Sequence, residues 1–381
     1  MQGESGPAAR RGRSSDIPPP NWRDDRQRLL RLSFNSLRRG HIIPSMASPT
    51  VSEKPLSRFL LTGAQGFIGS WIAKTLIERG ADAWVYDLDQ EARRLRALLT
   101  GEQLERVHFI RGDVTCAEDL ERAIANHGIT HILHLAALQV PYCAADPVLG
   151  ARVNVLGTLN IFETARRHRD LVRRIVYASS QAVFGPEEFY GGGTVPEGAP
   201  LLPNTHYGVF KQANEGNARV YFLTEGISSA GLRPGTVYGA GRDRGITSGP
   251  TKAIKAAVAG RPYTIKLIGG VDMQYVRDTA EIFIRSAESN VEGAKVYTPR
   301  GEVIQIEEFL EMLFRLLPQA RQNVRAEGQP LPIAYDFDDS ALVHDLGPAP
   351  RTPLEQGIRE TAEIFERLRR EGRLELSDLE T

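Results

Sequence analysis

Cysteine is scarce in this sequence: Cys116 and Cys143 are the only two in 381 residues. Their spacing fits neither a metal site nor a redox pair. They read as reduced thiols in a reducing compartment, and a disulfide-built fold is excluded. A net charge of either sign is also missing. Lys plus Arg number 47 and Asp plus Glu number 47, so bulk charge gives no reason to expect nucleic acid or an anionic membrane as partner. No apolar run approaches the roughly 18–20 residues that a bilayer-spanning helix needs. The eight histidines show no metal-ligand spacing, and no metal is expected; His131 and His134 flank a strand and read as packing or surface residues. There is no internal repeat and no heptad array. What remains is an ordinary globular composition, 41% hydrophobic and 25% charged, in a chain long enough for two lobes.

The N-terminus differs from the rest. Residues 1–45 hold nine arginines, four acids and the run Pro18-Pro19-Pro20. Three readings fit: a basic tail without fixed structure, an organelle-targeting segment built on "RLLRLSFNSLRR", or an upstream start with Met46 as the true beginning. Residues 1–52 are therefore expected to lie outside the folded domain. The expected location is the cytoplasm, with organelle targeting as the alternative.

From Arg58 onward strands and helices alternate. "RFLLT", "ADAWVYD", "RVHFIRGD", "ITHILHLAA" and "RRIVYASS" read as strands, and "ISSAGLRP" contains a sixth. Helical periodicity lies between them, notably from Pro147 to His168 and from Tyr207 to Glu225. Repeated β-α units predict an α/β fold of Rossmann type, a doubly wound parallel sheet with helices on both faces. After Gly239 the rhythm breaks. A nucleotide-binding domain over 53–239 is expected, with 271–290 returning to it, and a smaller substrate lobe over 240–381 at the sheet's C-terminal edge.

"TGAQGFIG" places Gly63, Gly66 and Gly69 between a strand and a helix. This context suits a dinucleotide: a tight turn, a backbone that can approach the pyrophosphate, close helix–strand packing and free N–H groups at the helix start. Asp87 ends the next strand. A carboxylate there accepts ribose hydroxyls and repels a 2′-phosphate, which favours NAD over NADP. Asp113, in "GDV", is placed to meet the adenine or to cap the next helix.

"NTHYGVFK" sets Tyr207 and Lys211 one helical turn apart, on one face. A phenol of pKa ~10 needs a shift of about 3 units, or ~4 kcal/mol, to act as a base at neutral pH. An ammonium about 5 Å away at an effective dielectric of ~20 contributes roughly 3 kcal/mol. The spacing alone also occurs on exposed helices, so its meaning depends on the frame around it.

That frame is supplied by "TGAQGFIG", "GDV", "HLAA", "NVLGTLN", "YASSQAVFG", "YGVFK" and "LRPGTVYG", in that order. The set resembles the extended short-chain dehydrogenases/reductases, and more narrowly the NAD-dependent epimerase/dehydratase family of sugar enzymes, over residues 57–372. The resemblance implies Tyr207 as acid/base and Lys211 as its activator. Ser180 would hydrogen-bond the reacting hydroxyl, and Asn154 would position the site. It implies contacts to NAD from Gly63, Gln65, Gly66, Phe67, Ile68, Gly69, Asp87, Asp113, Val114, Leu135, Ala136 and Ala137, and from Tyr207, Lys211, Pro234 and Val237. It also implies a homodimer packed through helices 147–168 and 206–225.

Two departures narrow the chemistry. Dehydratases carry an Asp-Glu pair after the catalytic Ser/Thr; here Gln181 and Ala182 stand there, so water loss is not expected. Val271 opens "VDMQYVRD", where nucleotide-sugar members have a diphosphate-binding arginine. "GRDRGITSGPTKA" offers Arg242, Arg244, Thr247, Ser248 and Lys252 as an alternative anion site or as a capped helix with solvated cations. With Gln181 these are the candidate substrate residues. The expected activity is a nucleotide-sugar or sugar 4-epimerase. The alternative is an NAD-dependent dehydrogenase of a free sugar or sugar acid, and a third reading is a non-catalytic NAD sensor.

Overall fold

The computed structural model describes residues 57–380; the readings of residues 1–45 lie outside them. The described residues fall within one compact unit, Leu56–Thr381.

Its centre is a seven-stranded parallel sheet of order β10-β6-β5-β4-β1-β2-β3. The strands are β1 (Phe59–Thr62), β2 (Ala83–Asp87), β3 (Val107–Arg111), β4 (His131–His134), β5 (Arg174–Ala178), β6 (Ser229–Leu232) and, after three intervening strands, β10 (Ala294–Tyr297). Every residue of β1 and β4 is buried. Central parallel strands are covered on both faces, so they read as unbroken apolar runs. β3, at the edge, buries only Val107. The sheet's strand order reverses between β1 and β4, and a crevice opens at such a point beyond the strands' C-terminal ends.

Both faces are packed. On one, Trp71, Ile72 and Leu76 of the helix Phe67–Glu78 join Ala280, Phe283 and Ile284 of the helix Val276–Glu288. On the other, Ile161 and Phe162 of Gly157–Arg167 join Ile124 and Tyr177. Each such fully buried large side chain contributes about 1.5–3 kcal/mol of hydrophobic stabilisation.

The anticipated helix from Pro147 to His168 is interrupted. Pro147–Ala151 runs through a π-helical turn, Arg152–Leu156, before Gly157–Arg167. Beyond β6 lie β7 (Thr236–Tyr238), β8 (Tyr263–Leu267) and β9 (Gly270–Tyr275), then β11 (Glu302–Gln305) and β12 (Val324–Gln329). β9 pairs antiparallel with β11 and parallel with β7, and β8 pairs with β12. The seventh strand, β10, thus comes from the segment where the β-α rhythm fades. Its "AKVY" has a single buried residue. Among the described residues no helix is long and apolar enough to cross a membrane, and no cluster of three metal-ligating side chains occurs.

Candidate functional site

The turn after β1 is shaped by backbone constraints. Gly63 has φ +70°, and a β-carbon there would lie 2.6 Å from the Ala136 backbone. Only glycine accepts both the left-handed conformation and that approach. Gly66 occupies the N-cap of Phe67–Glu78, whose first turn carries no acidic residue and no side-chain cap. The helix N–H groups therefore face the crevice without an internal anion. Asp87 closes β2 beside this loop. Its carboxylate accepts from Gln65 N at 3.0 Å and Asp89 N at 3.2 Å, while burial raises its pKa. Both polar atoms of the Gln65 side-chain amide are buried without a partner.

These residues line a cleft of about 750 Å³. Gly63, Gln65, Gly66, Phe67, Ile68, Gly69, Asp87, Asp113, Val114, Leu135, Ala136 and Ala137 all reach its wall, as do Pro234 and Val237 on the far side. Asp113 folds its carboxylate onto Thr115 N at 2.8 Å. The next helix instead has Cys116 at its N-cap, so Asp113 does not cap it.

The same cleft brings Ser180, Tyr207 and Lys211 together. Ser180 follows β5 and caps a 3-10 turn, its hydroxyl accepting from Ala182 N at 3.1 Å. Tyr207 lies in the first turn of His206–Glu225, a helix capped by Thr205, whose hydroxyl accepts from Gly208 N at 3.1 Å. A β-carbon on Gly208 would sit 2.1 Å from Ala182 O. The missing side chain lets this helix start close against the turn that carries Ser180, whose hydroxyl acts to lower the Tyr207 pKa. Lys211 is buried; its ammonium lies 5.4 Å from the Tyr207 ring centre and donates to Ala178 O at 2.5 Å.

The electrostatics differ from the expectation. Burial raises the Tyr207 pKa, and the Ser180 hydroxyl and the charge of Arg242 offset this only in part. Arg242 comes from a distant loop, and desolvation lowers its own pKa. Lys211 is itself depressed to about 8 by desolvation. A buried ammonium is a weakened charge, and simple through-space attraction leaves out that cost.

Asn154 lies in the π-helical turn and does not line the cleft. Its amide clamps the backbone of Leu138, accepting from Leu138 N at 2.7 Å and donating to Leu138 O at 2.9 Å. It fixes the loop after β4 and does not face the crevice. Of the candidate substrate residues, Gln181, Arg242 and Thr247 line the cleft. Arg242 donates to Thr247 Oγ1 at 2.9 Å, while its Nε is buried without a partner. Arg244 is exposed and outside the cleft wall, and Ser248 is buried behind it. Lys252 is buried in the helix Gly249–Ala259, away from the cleft. The capped-helix alternative does not describe this second half either, since the helix start has no side-chain cap and Lys252 is not solvated; of the segment's cations only Arg242 lines the crevice. Val271 is fully buried in the core.

Residues 59–304 match the NAD dependent epimerase/dehydratase family. The chain is 30% identical to UDP-glucose 4-epimerase of Mycolicibacterium smegmatis, over 81% of this chain and 98% of that protein. The chain belongs to the NAD-dependent epimerase/dehydratase family. It is also 30% identical to uronate dehydrogenase of Pseudomonas syringae pv. tomato, over 53% of this chain and 68% of that protein. A solved structure of UDP-glucose 4-epimerase from Thermus thermophilus, in complex with NAD, superposes with a TM-score of 0.65 at 30% identity, covering 81% of this chain and 98% of that one.

As a member of this NAD-dependent family the protein is an enzyme, and NAD is its cofactor. The residues present fit that group. The Gly63 turn leaves backbone room that a side chain would fill, the helix start is free of acids, and Asp87 supplies a carboxylate at the end of β2.

Sequence reasoning missed three supports of this family site. Arg94 ties the glycine loop to the C-terminal segment, donating to Gln65 O and Gly241 O at 2.9 Å each and to Asp243 at 2.5 Å. Glu215 pairs with Arg233 through two bonds of 2.8 and 2.6 Å and accepts from Ser179 at 2.5 Å. Losing one partner of such a buried pair costs about 3–5 kcal/mol. Asp272 meets Gln181 across 91 residues at 2.7 Å. None of these contacts has a local spacing signal; only the acid one place after Val271 marked a polar residue in a strand-like run.

Proposed function

We propose that this enzyme oxidises a carbinol carbon of a sugar or sugar-derived substrate and, as a 4-epimerase-like catalyst, returns the carbon to the opposite configuration. One observation supports the reading: Ser180, Tyr207 and Lys211 meet at the wall of one cleft, with the Lys211 ammonium 5.4 Å from the Tyr207 ring centre. Gly63, Gly66 and the start of Phe67–Glu78 would hold the cofactor's phosphates, Asp87 its adenosine ribose, and Pro234 and Val237 its nicotinamide end. NAD, when bound, supplies the hydride acceptor and donor. Ser180 orients the substrate hydroxyl, and Tyr207 takes its proton at the phenolic oxygen. Arg242 favours the phenolate, and the Lys211 ammonium, held by Ala178 O, adds positive charge on the same side. Gln181 and Ala182 provide no acid–base pair, which argues against dehydration.

A second reading is a dehydrogenase of a free sugar or sugar acid. It is favoured by buried Val271, which leaves no cation at its position for a diphosphate, and by Arg242, whose unpartnered Nε suits a carboxylate in the cleft. Purified protein mixed with NAD+ and a panel of nucleotide sugars, free sugars and uronates separates the two. Inverted product without free NADH supports the epimerase; stoichiometric NADH supports the dehydrogenase. No turnover of any probe would count against both.

We also propose a homodimer. Val148 is 80% exposed and Leu223 73% exposed, and Val209 and Val220 lie exposed on the same helix as Leu223. Sedimentation should show a dimer that Leu223→Glu converts to monomer; a wild-type monomer at micromolar concentration would contradict this.

A further inference from the structure

Gln181 follows Ser180 and lines the cleft, yet its side chain is almost wholly buried. Its Nε2 donates to Asp272 Oδ2 at 2.7 Å. Asp272, on β9, takes two further donors: Gln274 Nε2 on Oδ2 and Gly301 N on Oδ1, each at 2.6 Å. The β9–β11 register sets Asp272 against Val303, so paired backbone fixes the carboxylate. The Gln181 amide also packs on Gly235, where a β-carbon would lie 2.4 Å from Oε1.

An amide can be turned either way round, but an ionised carboxylate only accepts. Asp272 therefore decides which end of Gln181 faces it, and the carbonyl oxygen is the end left without a hydrogen bond. We propose that Asp272 is a positioning residue that locks Gln181 with its carbonyl oxygen toward the cleft, so that the place next to Ser180 recognises a hydrogen-bond donor, a second hydroxyl of the substrate. Nothing in this arrangement delivers a proton to a leaving group. The neighbour of the reacting centre is a reader of hydroxyl configuration and not an acid. This rests on Ser180 and Tyr207 as the reacting pair. Burial raises the Asp272 pKa to about 6 against the opposing pull of its donors, so the lock is complete at neutral pH and loosens when the carboxyl gains a proton of its own to donate.

The test is NMR of the full chain labelled with side-chain ¹⁵N-glutamine, with the Gln181 resonance assigned by its absence in Gln181→Glu. In the wild type its NH2 protons should exchange at least tenfold more slowly than those of an exposed glutamine, and their shifts should titrate with a midpoint near 6. Asp272→Asn, checked for fold by its backbone spectrum, should abolish that midpoint. Exchange at the rate of a solvent-exposed amide in the wild type, or a folded Asp272→Asn whose Gln181 amide exchanges as slowly as in the wild type, would overturn the proposal. The wild-type exchange stands as a test even if the variant fails to fold. No turnover is read, so failure here is distinct from failure of the Ser180–Tyr207 chemistry.

Discussion

The ammonium of Lys211 sits 5.4 Å from the centre of the Tyr207 ring and donates to the Ala178 carbonyl at 2.5 Å. Lys211 therefore does two things at once: it ties the helix His206–Glu225 to the end of β5, and it places positive charge near the phenol. Burial opposes that charge and depresses the Lys211 pKa from 10.5 to about 8. Lys211→Met should lower kcat by about 10²–10⁴, the range of a lost acid–base contribution. The stability effect has a definite sign. Below pH 8 the lysine is protonated in both the folded and unfolded states, and the fold bears the full cost of the buried charge. As pH rises from 8 to 10.5 only the unfolded state keeps the proton, and wild-type stability gains relative to the variant. Thermal unfolding of both proteins across pH 7–10.5 checks this; a gap independent of pH would contradict it.

Arg242 is a cation whose charge lowers the Tyr207 pKa. Removing it should raise the phenol's pKa further, so Arg242→Met should move the acidic limb of the kcat/KM profile for alcohol oxidation to higher pH. Arg242→Lys should restore part of the shift. A profile unchanged in position, with only its height reduced, would leave Arg242 with a binding role alone.

Asp87 offers its carboxylate beside the glycine loop, with backbone N–H groups of Gln65 and Asp89 already on it. Asp87→Ala should weaken NAD binding by about tenfold or more, ~1.4 kcal/mol, while NADP binding weakens less or improves. Fluorescence titration with both dinucleotides measures the ratio. Equal losses for the two would show that Asp87 only shapes the turn.

Much of this was readable from the chain. β1, β4 and β5 carry apolar centres, Leu60-Leu61, Ile132-Leu133 and Ile175-Val176, because central parallel strands are covered on both faces, and the Gly63 turn declares itself because no other residue fits there. Tyr207 and Lys211 share one helical turn, but it is the ordered set of motifs around them that gives the spacing its meaning. What stayed hidden depends on long-range packing. β10 is sparsely buried, and nothing in its sequence says that it joins β6 in the main sheet. Arg242 and Lys211 look equally available in sequence; the fold buries both, and desolvation lowers the pKa of each. Asn154, expected to position the site, holds the backbone of Leu138 in the cleft wall from a π-helical turn, a local irregularity that helical periodicity does not predict. Asp272 and Gln181 stand 91 residues apart, and nothing in either segment names the other.

The account turns on Tyr207 as the group that exchanges a proton with the substrate hydroxyl. The most direct measurement is single-turnover kinetics of wild type and Tyr207→Phe with NAD+ and whichever sugar or sugar acid the wild type converts, alongside NAD+ affinity by fluorescence. The account predicts a fall in rate of at least about 10²–10⁴ with NAD+ affinity nearly unchanged, since only the phenolic oxygen is lost. A variant that turns over at the wild-type rate would contradict it.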